Sequence, residues 1–228
     1  MKKLVVLTGA GMSAESGLKT FREMGGLWET HDVYEVASPT GWARDRSMVL
    51  RFYNERRKQL LETSPNTGHM GLVELEKKYE VRIITQNVDD LHERAGSSNI
   101  LHLHGELRKA RSTSDPGLIY DLESWELKEG DLCEKGSQLR PDVVWFGEAV
   151  PAIEEAAEIV SIAGIFVIIG TSLNVYPAAG LINYVPEGVP VFVIDPNEVP
   201  IPGNSQVKVI PEKAGMGVRK LIEALENE

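Results

Sequence analysis

The sequence predicts an α/β fold, a doubly wound Rossmann-like parallel sheet with a small inserted module. Three observations carry that prediction. Short apolar runs alternate along the chain with amphipathic helical stretches. The first run opens directly into a glycine turn, in VVLTGAGMSAESGLKTFR, with the spacing Gly9-Ala10-Gly11-x-x-Ala14 of a dinucleotide fingerprint. Residues 107–141 (LRKARSTSDPGLIYDLESWELKEGDLCEKGSQLRP) break the alternation, being charged, rich in turn residues and without a long apolar period. A chain of 228 residues, 42% of them hydrophobic, has the material for one large domain carrying such an insert.

Taken in order, residues 4–7 read as a first buried strand and residues 17–39, with Gly25-Gly26 and mixed aromatics, as a long functional loop. Residues 40–62 set apolar side chains at helical spacing among many charges, with Thr40 placed to cap the start. Residues 66–79, 151–163 and 215–226 have the same helical character. Between them, residues 81–85, 142–146, 165–169 and 191–195 read as further buried parallel strands. The pattern contains no internal repeat and no low-complexity tract.

Bulk composition excludes several classes. A formal charge of −10 argues against nucleic acid as the main partner, since phosphate binding needs a basic field. Cys133 is the only cysteine, so no intrachain disulfide and no multi-cysteine metal site is expected. The longest apolar stretch, near residues 162–170, is far too short to span a bilayer, and Met-Lys-Lys runs at once into a strand with no room for a cleavable signal. These features together point to a reducing cytoplasm and to no membrane association.

A glycine turn first suggests a dehydrogenase, which would present an acid to the ribose about 20 residues later, at the end of a second strand. Glu29 and Asp32 stand near that distance, but GGLWETHDVY gives them no preceding apolar strand. Three polar clusters instead follow apolar runs, at the edge where an α/β sheet binds ligands. In Gln86-Asn87-Val88-Asp89 the side chains either cap the next helix or serve a site. In LHLHGE, His104 precedes a glycine at a strand end. In Gly170-Thr171-Ser172 small hydroxyl residues form either a plain turn or phosphate and ribose contacts.

Read together and in order, GAGMSAESGLKTFR, QNVDDLHERAG, LHGE, LRPDVVWFGE and GTSLNVYP resemble the sirtuins, NAD-dependent protein-lysine deacylases, over nearly the whole chain. The resemblance implies that the dinucleotide is a consumed substrate rather than a hydride carrier. The acyl-lysine oxygen attacks C1′ of the nicotinamide ribose, nicotinamide leaves, and a ribose hydroxyl then attacks the imidate; with one water added, the products are free lysine and O-acyl-ADP-ribose. It implies that Gly9, Ala10, Gly11 and Ser13 hold the pyrophosphate through backbone donors and a hydroxyl, and that Phe21, Arg22 and Trp28 belong to the loop covering the cofactor. Gln86, Asn87, Val88 and Asp89 then line the nicotinamide pocket and ribose, with Asn87 catalytic and His104 the general base. Gly170, Thr171, Ser172, Asp195, Asn197 and Ala214 bind the adenosine half, Asp195 standing where the family usually has Asn. The acyl-lysine peptide adds a strand between VVWFGE and the segment after GTS, where Phe146 and Val175 either flank the lysine tunnel or pack inside. Residues 17–62 supply the loop and helices over the cofactor and acyl-lysine site.

Two departures matter. RFYNERRKQL contains Tyr53-x-x-Arg56, which by itself reads as a core-edge phenol beside a solvated charge run. Within the resemblance it matches the subgroup that removes succinyl and malonyl groups: a terminal carboxylate needs a cation at the tunnel's end, which Arg binds two-pronged. Most sirtuins also hold zinc with two Cys-x-x-Cys pairs, whose positions here are Ser112, Asp115, Leu132 and Lys135, with Cys133 off by one. Tetrahedral zinc needs four suitable ligands, so no zinc is expected, and Leu118, Ile119, Leu122 and Trp125 are expected to pack the module instead. An NAD(H) oxidoreductase, a deacetylase without acidic-acyl preference and a non-catalytic ADP-ribose-binding module remain as alternatives.

Overall fold

The structure, a computed structural model, describes residues 1–18, 33–199, 201 and 207–227. Nine strands are described: β1 (Lys3–Thr8), β2 (Glu80–Thr85), β3 (Ile100–His102), β4 (Gly105–Ser112), β5 (Ile119–Asp121), β6 (Leu139–Val143), β7 (Ile165–Ile169), β8 (Val191–Ile194) and β9 (Val207–Ile210). Eight helices accompany them: α1 (Gly11–Ala14), α2 (Val33–Val36), α3 (Pro39–Arg44), α4 (Arg46–Leu61), α5 (Thr67–Leu75), α6 (Leu91–Ala95), α7 (Ile153–Ser161) and α8 (Ala214–Glu226). Six strands form one parallel sheet in the order β3-β2-β1-β7-β8-β9. The order reverses between β1 and β7, and at such a switch point the loops leaving two neighbouring strands diverge and open a crevice.

Strand β1 shows why the sheet is covered on both faces. Leu4 and Val6 point into one core with Leu72 of α5 and Val218 and Leu221 of α8. Val5 and Leu7 point into the other, with Ala156 and Val160 of α7 and with Ala178 and Leu181 of a 3-10 turn, Ala178–Tyr184. Every residue of its apolar run is fully buried, as the continuous pattern of a parallel strand requires. Among the described residues no helix is long and apolar enough to cross a membrane.

The remaining strands form a small antiparallel sheet, β5-β4-β6. Here the expectation of a parallel strand over residues 142–146 is corrected. Strand β6 lies earlier, at Leu139–Val143, and pairs with β4, because Arg140 and Asp142 suit the charged small sheet rather than an apolar interior. The expected helix over 40–62 is likewise two helices. Ser38 rather than Thr40 caps the first through the Gly41 amide, and Asp45, in a non-helical conformation, caps the second through the Met48 amide.

A third apolar cluster joins helices α2–α4 to this sheet through Trp42, Phe52, Tyr53, Leu107, Leu127, Cys133 and Trp145. Leu118 and Leu122 pack against it, Ile119 is exposed and Trp125 is half-buried. Polar bonds add to the junction. The fully buried Arg57 donates to the carbonyls of Leu107 and Trp125, at 2.7 and 2.6 Å, and Asn54 pairs with both the N–H and the carbonyl of Leu127.

Candidate active site

The loops after β1 and β7 interlock at the switch point. A Cβ on Gly9 would stand 2.7 Å from Thr171 Cβ, one on Gly11 would stand 2.6 Å from Gly170 Cα, and one on Gly170 would meet the Met12 nitrogen at 2.4 Å. Gly170 also has φ +62°, a conformation that favours glycine. The glycines therefore serve first to mate two backbones. The Gly9 and Gly11 amides donate to Ile169 and Gly170, and the Ser13 amide donates to Ala10, so the expectation that these three amides are donors to a pyrophosphate is corrected: they are engaged within the turn.

Beside this cradle the β2 loop is held as a network. Asn87 Nδ2 donates to Gly9 O at 3.0 Å and to Ser13 Oγ at 3.2 Å, which fixes the amide's orientation, since a carbonyl can only accept. Ser13 Oγ in turn donates to Asp89 Oδ2 at 2.9 Å. Burial raises the Asp89 carboxyl above the usual carboxylate range, against the lowering effect of Ser13 and of the Leu91 amide that it also accepts. Gln86 Nε2 reaches across to Thr171 Oγ1 at 3.1 Å, linking the β2 and β7 loops. Val88 is half-buried against the third cluster, and its carbonyl accepts from the Leu107 amide at 2.7 Å.

Two histidines grip this loop from the other side. His104 Nδ1 lies 3.0 Å from Gln86 O, and because a carbonyl cannot donate, the proton sits on Nδ1 and Nε2 keeps the lone pair. Burial pushes the His104 pKa below its ordinary value, partly offset by that bond. His102 Nδ1 donates to Asn87 O at 3.1 Å and its Nε2 to Glu93 Oε1 at 2.8 Å. Burial opposes the charge on His102, yet the pairing with Glu93 raises its pKa. Residues 102 and 93 are a contribution that motif reading missed, although LHLHGE places His102 two residues before His104, on the same side of an extended chain.

The other candidate residues fall into three groups. Asp195, directly after β8, is buried and accepts from the backbone and side chain of Asn197 at 2.8 and 3.2 Å, while Gly170 N–H donates to Ile194 O; Asn197 is exposed. Ser172 follows Thr171 in the β7 loop, and Ala214 is buried at the start of α8, whose Gly215 amide donates to Glu15 at 2.7 Å. Phe21, Arg22 and Trp28 lie outside the described residues. Phe146 and Val175 are both exposed, which removes the interior alternative for each.

On α4, Tyr53 is buried and its hydroxyl accepts from Trp145 Nε1 at 2.9 Å. Burial raises the phenol to about 12, so it stays protonated. Arg56 lies one helical turn on, half-buried, with its guanidinium carbon 5.8 Å from the centroid of Phe52. Burial lowers its pKa, opposed in part by the neighbouring Tyr53 and Asp89.

The four positions expected to correspond to the family's zinc ligands do not fit a metal. Ser112 Oγ accepts from Cys133 Sγ at 3.3 Å, Asp115 pairs with Lys135 at 2.7 Å, and Leu132 is exposed. Among the described residues no three His, Cys, Asp or Glu side chains converge as a metal-binding group. The two turns face each other, joined by an ion pair and a thiol–hydroxyl bond.

Comparison with known proteins fits this geometry. The Sir2 family matches residues 9–177. An NAD-dependent protein deacylase of Bacteroides thetaiotaomicron is 58% identical over 230 residues, covering 99% of this chain and 98% of its own length. One from Helicobacter pylori is 55% identical over 225 residues, with 99% and 98% covered. A crystal structure of a Sir2 homolog–NAD complex superposes with a TM-score of 0.89 at 40% identity, over 99% of this chain and 90% of that one. An ADP-ribose complex of a mutant Sir2 homologue gives 0.87 at 41% identity, over 100% and 94%. On sequence and fold alike, the chain belongs to the Sir2 family.

Proposed function

We propose that this Sir2-family chain, an NAD-dependent protein deacylase, takes acidic acyl groups such as succinyl and malonyl from lysine side chains of proteins, with acetyl as a poorer substrate. The observation that carries the acyl assignment is the pairing of Tyr53 and Arg56 on one face of α4. There the Arg56 cation feels Asp89, which belongs to the hydrogen-bonded network at the switch point. A carboxylate reaching that cation forms charge-assisted bonds that a methyl group cannot.

The chemistry assigned to the chain's own residues follows from how they are held. NAD is the co-substrate and supplies the ribose that accepts the acyl group. His104, with Nδ1–H bonded to Gln86, offers Nε2 to take the proton of a ribose hydroxyl. Asn87, with both amide protons engaged, offers Oδ1 as an acceptor in a fixed place. Gln86, Val88 and Asp89 shape the nicotinamide side, and Gly9, Ala10, Gly11, Ser13, Gly170, Thr171 and Ser172 form the floor under the phosphates. Asp195, Asn197 and Ala214 receive the adenosine half, and Phe21, Arg22 and Trp28, outside the described residues, are assigned to the cofactor by the resemblance alone. These assignments rest on the family resemblance together with the network at the switch point.

The test compares matched succinyl- and acetyl-lysine peptides by mass spectrometry with and without NAD, in the wild type and in Arg56→Met. Loss of the guanidinium should lower desuccinylation efficiency by about ten- to a hundredfold, the equivalent of one charged hydrogen bond. Deacetylation should fall far less. Equal losses for both peptides would return Arg56 to the solvated helix face.

A further inference from the structure

We propose that Trp145 is a positioning residue for acyl selection: its indole N–H holds the Tyr53 hydroxyl so that the phenol donates toward the acyl carboxylate. The inference rests on the acidic-acyl reading of Tyr53 and Arg56.

Indole Nε1–H can only donate, so in the 2.9 Å contact Tyr53 Oη is the acceptor. A phenol has one proton. With one lone pair engaged by Trp145, that proton must point elsewhere, and Tyr53 is left a hydrogen-bond donor. A carboxylate accepts and never donates, so only this polarity serves an acidic acyl group. Without the indole N–H, the hydroxyl would be free to turn its proton toward any acceptor in the pocket. Both rings are almost wholly buried, at 2% exposure for Trp145 and 3% for Tyr53, so water competes poorly for the contact.

The indole is itself fixed. Its backbone N–H donates to Glu148 Oε2 at 2.8 Å. The Arg140 guanidinium carbon sits 3.3 Å from the indole centroid, and Arg140 binds Glu148 through two nitrogens, at 2.6 and 3.0 Å. A cation on the ring face withdraws electron density and makes the N–H a better donor. Trp42 packs on the same indole, with ring centroids 5.7 Å apart. An orientation secured by an ion pair, a cation on the ring face and a second indole exceeds what filling space requires.

The experiment measures kcat and KM for the succinyl and acetyl peptides in Trp145→Phe, which keeps an aromatic ring and removes the N–H. The succinyl KM should rise about three- to tenfold, the range of one neutral hydrogen bond, with the acetyl KM moving less. In a Tyr53→Phe background, Trp145→Phe should add nothing to the ratio of the two KM values, because the hydroxyl it orients is gone. Replacement of Trp145 by benzothienylalanine, which swaps N–H for sulfur in the same shape, should reproduce the effect even if the phenylalanine variant folds poorly. Parallel KM changes for both acyl groups, or a full additional effect in the Tyr53→Phe background, would overturn the proposal. If Tyr53→Phe and Arg56→Met themselves leave the acyl ratio unmoved, the acidic-acyl reading fails instead. If they move it and Trp145→Phe does not, only the role of Trp145 is lost.

Discussion

His104 has a pH consequence that follows from its burial. A histidine whose pKa is pushed below the ordinary value stays neutral to lower pH. As a base it is active when deprotonated, so kcat/KM should hold level through neutrality and fall only below about pH 6.5, the usual imidazole value. His104→Ala should cost about a hundred- to ten-thousandfold in turnover while circular dichroism stays unchanged. Near-normal turnover in a folded variant would remove it from the mechanism. HG at a strand end marked His104 as a candidate and the family resemblance supplied the proposed role, but the tautomer was not legible, because it depends on the Gln86 carbonyl of another strand's loop. Trp145 shows the same limit: VVWFGE exposes the residue in sequence, yet its partner Tyr53 lies on α4, far away in the chain.

At the scale of elements, α4 and the small sheet form one mechanical unit. Asn54 completes the backbone bonding of Leu127 as a neighbouring strand would. Asn54→Leu keeps the volume and leaves a buried N–H and C=O unpaired. It should destabilise the protein by about 2–4 kcal/mol in urea titration, while a chelator should leave the unfolding midpoint of the wild type unmoved. A small loss, or a midpoint that falls with chelator, would contradict this account. Legibility here was uneven for physical reasons. Strands β1, β2, β7 and β8 are buried on both faces and announce themselves as apolar runs. Strands β4 and β5 carry charges and half-exposed faces, and β3 is only three residues long, so each lacks that signal. The break at Asp45 was hidden because helical spacing continues across it, whereas its cause is a capping contact with Met48.

For the whole molecule, stability should depend on two histidines beneath the cradle. His69 and His92 are buried with ring centroids 4.8 Å apart, and His92 Nε2 lies 3.3 Å from Thr8 Oγ1. Burial lowers His69 to about 4 and His92 to about 3. Both are neutral in the native state and protonate more readily when unfolded, so the unfolded chain binds more protons between those values and pH 6.5. Their contribution is complete above pH 6.5 and is lost as pH falls through the folded values, with His69 alone worth on the order of 3 kcal/mol. The unfolding free energy should therefore drop between pH 6.5 and 4, and His69→Gln should flatten that slope. An unchanged slope would place the acid sensitivity elsewhere.

The sheet order also governs the sequence of assembly. Strand β1 occupies the centre, with β2 on one side and β7 on the other, and Val5 must meet Phe166 across most of the chain. Contacts so remote carry a loop-closure cost before they return anything, and such topologies fold slowly. On a ribosome, β1 can recruit β2 and β3 early, but its second edge waits until residues 165–169 emerge. Until then an apolar strand presents open backbone groups, the template for wrong pairing. Because the Gly9–Gly170 contact forms only when that edge closes, the proposed floor for the dinucleotide is not complete before β7 docks, and nascent chains should gain affinity for NAD no earlier than that.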